Sequence, residues 1–313
     1  MMKSILEILT ALLVIISVGN ACSLENRQSV PESTSDIEQS AVQVISRAEQ
    51  VINSLFKAYP SQIEKVEFRD NDWALLMRGT WYYYADGRLL PENLRENTAR
   101  YRSVLFYQYT AELPPWEEQN FDELSRIGNN RNRNSIRRDT FLRSTFMEDL
   151  WQTRNHTEAY HNTRIIRFLG RSARVHHLII EKLALVETCI LDAAKNDPQI
   201  QTWINSISIA ESFAWRNIAA SQSRSYHSFG IALDLRPKSF GNRQTYWLWT
   251  SQQREDWWNV PYSARYHPPE SVINAFETYG FIWGGKWFRF DTMHFEYRPE
   301  VLILNDMPPK KSK

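Results

Sequence analysis

The sequence predicts an α+β protein: a small antiparallel sheet with helices at about 171–305, preceded over 41–170 by a mainly helical region with a β-hairpin. Three observations predict it. Apolar residues recur at three- and four-residue steps in stretches ending at Tyr59 and Ala194. They alternate strictly with their neighbours at 231–236 and 293–297. Turn signals such as Asp86-Gly87 and Gly280 punctuate the segments between.

Taken in order, residues 1–21 read as an export signal. Lys3 supplies the positive end, and Ile5 to Val18 is a mostly apolar stretch of about 14 residues, short of the ~20 that span a bilayer. Val18-Gly19-Asn20-Ala21-Cys22 resembles a relaxed lipobox, so Cys22 is a candidate lipidation site, with plain secretion and an uncleaved anchor as the other readings. The chain is expected to be exported, as a periplasmic protein or a lipoprotein that meets the membrane through its anchor alone. Residues 22–40 are polar and aperiodic, as a tether is. The only other cysteine is Cys189, which reads as a small buried hydrophobe, so no intramolecular disulfide is expected.

Ala41, Ile45, Ala48, Ile52, Leu55 and Tyr59 place one apolar face on a helix that stops at Pro60. Residues 66–90 read as short strands with tight turns, and helices are expected at about 139–152 and 156–168. The Arg/Asn run from Arg126 to Arg138 reads as a solvated loop or a basic patch that meets an anionic polymer. Arg174 to Ala194 is the clearest helix, with His176 and His177 as surface or capping residues at its start. A strand is expected from Ile207 to Trp215 and a helix from Ser271 to Tyr279, closed by Gly280. A basic tail, 306–313, ends the chain.

With 313 residues, of which 42% are hydrophobic and 13% aromatic, the chain can bury at least one large core. Its formal charge of +1 provides no whole-molecule field for nucleic acid, which is not an expected partner. Composition says nothing of oligomeric state.

The chemistry concentrates in two segments. In Ser225-Tyr226-His227-Ser228-Phe229-Gly230-Ile231-Ala232-Leu233-Asp234, strand alternation turns Ile231, Leu233 and Leu235 to the core. Asp234 then faces a site, Ala232 leaves volume beside it, and Gly230 permits the turn that brings His227 back to the same point. In Asp291-Thr292-Met293-His294-Phe295-Glu296-Tyr297, His294 and Glu296 share the face opposite the core. Two imidazoles and one carboxylate leave a fourth tetrahedral position for water, the arrangement of a catalytic zinc site. Water held there ionises toward pH 7.

Ser225-x-His227-x-x-Gly230-x-Ala232-x-Asp234 followed by Asp291-x-x-His294 resembles the paired signature of the zinc D-alanyl-D-alanine carboxypeptidase family, which includes vancomycin-resistance carboxypeptidases and phage L-alanyl-D-glutamate endolysins. Phe213-Ala214-Trp215-Arg216 and Gly280-Phe281-Ile282-Trp283-Gly284-Gly285-Lys286-Trp287 add to the likeness, which covers about 205–300. The resemblance implies a hedgehog/D-alanyl-D-alanine peptidase-like sheet and Zn2+ held by His227, Asp234 and His294. It also implies peptidoglycan stem peptides as substrate, with Asp291 as general base. From pattern alone Glu296 competes for that role. Arg216 is the family-consistent cation for an oxyanion or substrate carboxylate, with Arg224 in reserve, and Ser225 is a candidate supporting hydrogen-bond donor. Trp247, Trp249, Trp257, Trp258, Trp283 and Trp287 are core residues or the wall of a cleft. A rival of another class is a zinc-bearing, non-catalytic wall-binding lipoprotein.

Overall fold

The computed structural model describes residues 46–104, 106, 108–113, 115, 116, 120, 122, 123, 125, 142–218 and 223–310. The export signal, Cys22, the tether and the run 126–138 lie outside the described residues.

Helix α1 (Arg47–Ala58) starts where Ser46 Oγ accepts the Glu49 amide, and it turns Val51, Ile52 and Leu55 inward. Strands β1 (Lys65–Arg69), β2 (Asp72–Met77), β3 (Thr80–Tyr83) and β4 (Leu90–Pro91) follow as one antiparallel sheet in sequential order, a larger unit than the single hairpin expected. Asp70-Asn71 and Arg78-Gly79, all at positive φ, form the two-residue loops whose twist suits such pairs. A 3-10 stretch, Glu92–Arg100, leads to β5 (Tyr101–Arg102), which pairs in parallel with β6 (Leu142–Arg143).

The next segment departs most from expectation. Helices α2 (Phe146–Leu150) and α3 (His156–Asn162) are short, and 163–168 is strand rather than helix. Strands β7 (Thr163–Phe168) and β8 (Arg171–His176) form a hairpin around Leu169-Gly170, so the long helix expected from Arg174 begins only at α4 (Ile180–Ala194). Periodicity could not see this: Val175, Ile179, Leu183, Val186 and Ile190 are all buried, but Val175 is buried from a strand. His176 does cap the following turn, through Nδ1 and the Leu178 amide, but it is not at the surface. It is fully buried, with Nε2 2.9 Å from the Trp151 carbonyl oxygen, and burial pulls its pKa down to about 4. His177 is exposed. Cys189 is also exposed, contrary to its sequence reading, because it falls on the outer side of α4.

Helix α5 (Pro198–Ser206), capped by Asp197, leads into β9 (Ile207–Glu211), which stops four residues short of the expected Trp215. Strand β10 (Ala232–Pro237) lies beside β9; α6 (Trp247–Gln253) and α7 (Glu270–Thr278) precede β11 (Phe281–Trp283), β12 (His294–Tyr297) and α8 (Pro299–Leu304). The sheet runs β11-β12-β10-β9, antiparallel throughout. Ile231, Leu233, Leu235, Phe295 and Tyr297 turn one face of it into the core, where Phe276 of α7 stacks on Phe295 with ring centroids 3.9 Å apart. That core is a single cluster running from Val51 to Tyr297, with α1 packed on α8. Mixed helix and small antiparallel sheets make this an α+β fold. Among the described residues no helix is long and apolar enough to cross a membrane.

Candidate metal centre

The polar face of the second sheet is where the three predicted ligands meet. Asp234 on β10 is paired directly with His294 on β12, so strand register alone puts a carboxylate beside an imidazole. His227 comes from the 3-10 turn Tyr226–Phe229, which Ser225 caps by accepting the His227 amide at its Oγ. Gly230 ends that turn at φ +72°, and a Cβ there would lie 2.8 Å from Thr163 Cγ2 and 2.9 Å from the His176 nitrogen. Its carbonyl accepts the His176 amide at 2.7 Å, which clips the ligand turn to the β7–β8 hairpin.

The ligand atoms are tightly gathered. Asp234 Oδ1 is 2.8 Å from His294 Nδ1 and 3.2 Å from His227 Nε2, and the two nitrogens are 3.3 Å apart. Each ring's other nitrogen faces an acceptor. His227 Nδ1 is 2.6 Å from the Ser212 carbonyl oxygen, and His294 Nε2 is 3.0 Å from Glu296 Oε2. A carbonyl or carboxylate oxygen only accepts, so those nitrogens carry protons, and the other nitrogen of each ring is aimed at one point beside Asp234. Three converging acceptors, all buried, call for a positive charge. Burial drives the Asp234 carboxyl up, but the charges and hydrogen bonds of His227 and His294 outweigh it and hold it well below the carboxylate range. Burial lowers His294, yet hydrogen bonds to Asp234 and Glu296 raise it far above its ordinary value, so without a metal a proton takes the central place.

The donor set fits zinc. Tetrahedral Zn2+ with ligand bonds of about 2.0–2.1 Å separates its ligand atoms by roughly 3.3 Å, against 3.2 and 3.3 Å for two of the three separations here. The third, 2.8 Å, is that of the hydrogen bond a metal would replace.

Asp291 stands just before this strand rather than on it. The chain turns at 291–294, with the His294 amide on the Asp291 carbonyl at 3.2 Å, so the alternation that seemed to favour Glu296 does not govern Asp291. The Asp291 amide donates to the Gly284 carbonyl at 3.0 Å, and a Cβ on Gly284 would meet the Asp291 oxygen at 2.6 Å; the glycine is what lets the two loops touch. Asp291 Oδ1 is buried and has no hydrogen-bond partner among the described residues. Burial, reinforced by the charge of Asp234, pushes its carboxyl up to about 7. Glu296, in contrast, is fully engaged: Oε2 holds His294 and Oε1 accepts from Arg298 Nη1 at 3.3 Å.

The two arginines part company. Arg216 is exposed, its charge is felt at Asp291, and its backbone is fixed by Ser228 Oγ on both amide and carbonyl. Arg224 is turned away beneath the ligand turn, donating to the Thr153 and Ser228 carbonyls and lying over Trp215 at 4.0 Å. Of the six tryptophans, Trp287 flanks His294 at 5.4 Å; Trp247 and Trp257 fill a separate cluster with Val260 and Phe290, against which Trp258 packs, Trp283 is in the main core, and Trp249 is 42% exposed.

Sequence reading missed the Ser212 carbonyl, for which no side-chain signal exists. It also missed Arg298 and Glu300, although His294, Glu296, Arg298 and Glu300 carry on a two-residue spacing that could have drawn notice.

Neither a curated protein nor a solved structure matches the chain. Residues 51–106 match a family described as a domain of unknown function (DUF8518). Residues 219–297, which hold all three ligand residues and Asp291, match the family described as D-alanyl-D-alanine carboxypeptidase, so over that segment the chain is similar to a cell-wall type of peptidase.

Proposed function

We propose that the protein is an exported zinc peptidase that hydrolyses peptidoglycan stem peptides, by release of terminal D-alanine or by cleavage after L-alanine. The observation that carries this is the convergence of His227 Nε2, His294 Nδ1 and Asp234 Oδ1, with both imidazole tautomers fixed from behind, inside the segment similar to the carboxypeptidase family. The sheet β11-β12-β10-β9 is then the D-alanyl-D-alanine peptidase-like one.

When bound, zinc supplies Lewis-acid polarisation of a peptide carbonyl and acidifies a water. The residues of the chain do the rest. Asp291, buried and unpartnered at Oδ1, takes the proton of the attacking water and returns it to the leaving amine; a carboxyl held near 7 serves both directions. Arg216, exposed and acting on the Asp291 carboxyl through its charge, offers a guanidinium to the substrate carboxylate or the developing oxyanion. Glu296 keeps the His294 proton on Nε2.

The test is digestion of purified muropeptides by the protein with and without a chelator, read by mass spectrometry. Loss of a terminal D-alanine identifies a carboxypeptidase, and new internal termini after L-alanine an endopeptidase. Binding to sacculi with no peptide released by zinc-loaded protein refutes the catalytic reading and leaves a wall-binding lipoprotein.

A further inference from the structure

Behind His294 runs a line of buried charge of which the proposed reaction uses only Glu296. Glu296, Arg298 and Glu300 are each no more than 1% exposed. Glu296 Oε2 meets His294 Nε2 at 3.0 Å, and Glu296 Oε1 accepts from Arg298 Nη1 at 3.3 Å. Arg298 Nε donates to Glu300 Oε1, and Nη1 reaches the hydroxyl of Tyr226 at 2.5 Å. Glu300 Oε2 accepts from the hydroxyl of Tyr59 at 2.6 Å. Arg298 therefore braces both imidazole ligands at once: His294 through Glu296, and His227 through its chain neighbour Tyr226. Tyr59 closes the far end from the C-terminus of α1, more than two hundred residues away in sequence and inside the segment that matches the domain of unknown function.

Formal charges explain why such a line tolerates burial. Two carboxylates and one guanidinium leave one negative charge, while a divalent ion with Asp234 leaves one positive charge beside it. Each half neutralises the other, and neither is comfortable alone in a dry interior. Burial holds the Tyr226 and Tyr59 phenols well above their ordinary value, so both remain protonated, and Tyr59 is a permanent donor to Glu300.

We infer that Tyr59, Glu300 and Arg298 are positioning residues for the metal centre, through which the segment 51–106 sets the affinity and geometry of the bound ion. The inference rests on the reading of His227, Asp234 and His294 as zinc ligands. It assigns to the N-terminal segment a part in the site rather than a separate recognition task.

The experiment uses the full chain and its Tyr59→Phe and Glu300→Gln variants, with Tyr82→Phe as the control. Tyr82 also donates to a buried carboxylate, that of Asp149, but off this line. Zn2+ dissociation constants are measured by competition with a chromophoric chelator, and the absorption spectrum of the Co2+-loaded protein is recorded. A purely structural role lowers the melting temperature of the metal-free protein in all three variants and leaves both metal readouts alone. The expected result is a roughly 10–100-fold weaker Zn2+ affinity and a shifted Co2+ spectrum in Tyr59→Phe and Glu300→Gln, with neither change in Tyr82→Phe. Wild-type affinity and spectrum in the variants overturn the inference alone. If the wild-type chain takes up no Zn2+, the metal centre itself is overturned and the inference with it. Should Glu300→Gln fail to fold, Tyr59→Phe, which loses a single oxygen, decides the matter.

Discussion

Replacing Asp291 by Asn should make the protein more stable and nearly inactive. The wild-type carboxyl is pushed from its ordinary value of 3.8 up to about 7, first by burial and then by the charge of Asp234. An acid raised on folding binds more protons in the native state than in the unfolded one. Its stability penalty is therefore absent below about pH 4, grows as pH rises, and is complete above about pH 7. Three pKa units correspond to about 4 kcal/mol, which partial solvent access reduces to on the order of 2–3 kcal/mol. Asn keeps the shape and loses the charge, so the metal-free variant should exceed the wild type by that amount at pH 8 and match it near pH 4. Turnover should fall about 10²–10⁴-fold, as loss of a general base predicts, or roughly 3–5 kcal/mol in the barrier. Urea unfolding of chelator-treated protein at pH 4, 6 and 8, with kcat on a muropeptide, measures both. A variant less stable than wild type at pH 8, or one within tenfold of its turnover, refutes the assignment and returns the base to Glu296.

Three further outcomes are expected. His227→Ala and His294→Ala should each lose bound zinc and hydrolysis together, as elemental analysis and the muropeptide assay will show, whereas Asp291→Ala should retain zinc. Because the metal displaces the proton that Asp234 and Glu296 stabilise on His294, zinc affinity should fall about tenfold for each pH unit below the metal-free pKa of that ring; calorimetry in buffers of different ionisation enthalpy counts the proton, and a pH-independent affinity between pH 5 and 8 contradicts it. Gly230→Ala should destabilise the protein by about 2–4 kcal/mol, since its Cβ would fall 2.8 Å from Thr163 Cγ2 at a φ of +72°, and a melting temperature equal to wild type argues against the clipped turn.

How far the sequence could be read follows from range. The helices at α1, α4 and α7 and the strands β10 and β12 were legible because their apolar faces repeat within a few residues. The stretch 163–176 was not, since Thr163 to Phe168 suits helix or strand, and only pairing with β8 chose the strand. Cys189 was misplaced for a related reason: a helix rich in apolar residues does not say which of them faces outward until its neighbours are in place.

The sequence by itself singled out the candidate ligands. His227, Asp234 and His294 lie in two short segments whose alternation and turn residues fix which side chains share a face, and that is local geometry. Tertiary structure decided what those ligands are held by. It put the Ser212 carbonyl behind His227, gave both Glu296 oxygens partners in His294 and Arg298, and brought Tyr59 to the end of the line that begins at His294. Hydrogen-bond partners chosen across a fold depend on the packing of α1 against α8 and of β10 against β12, and no local pattern encodes a distance between residues so far apart in the chain.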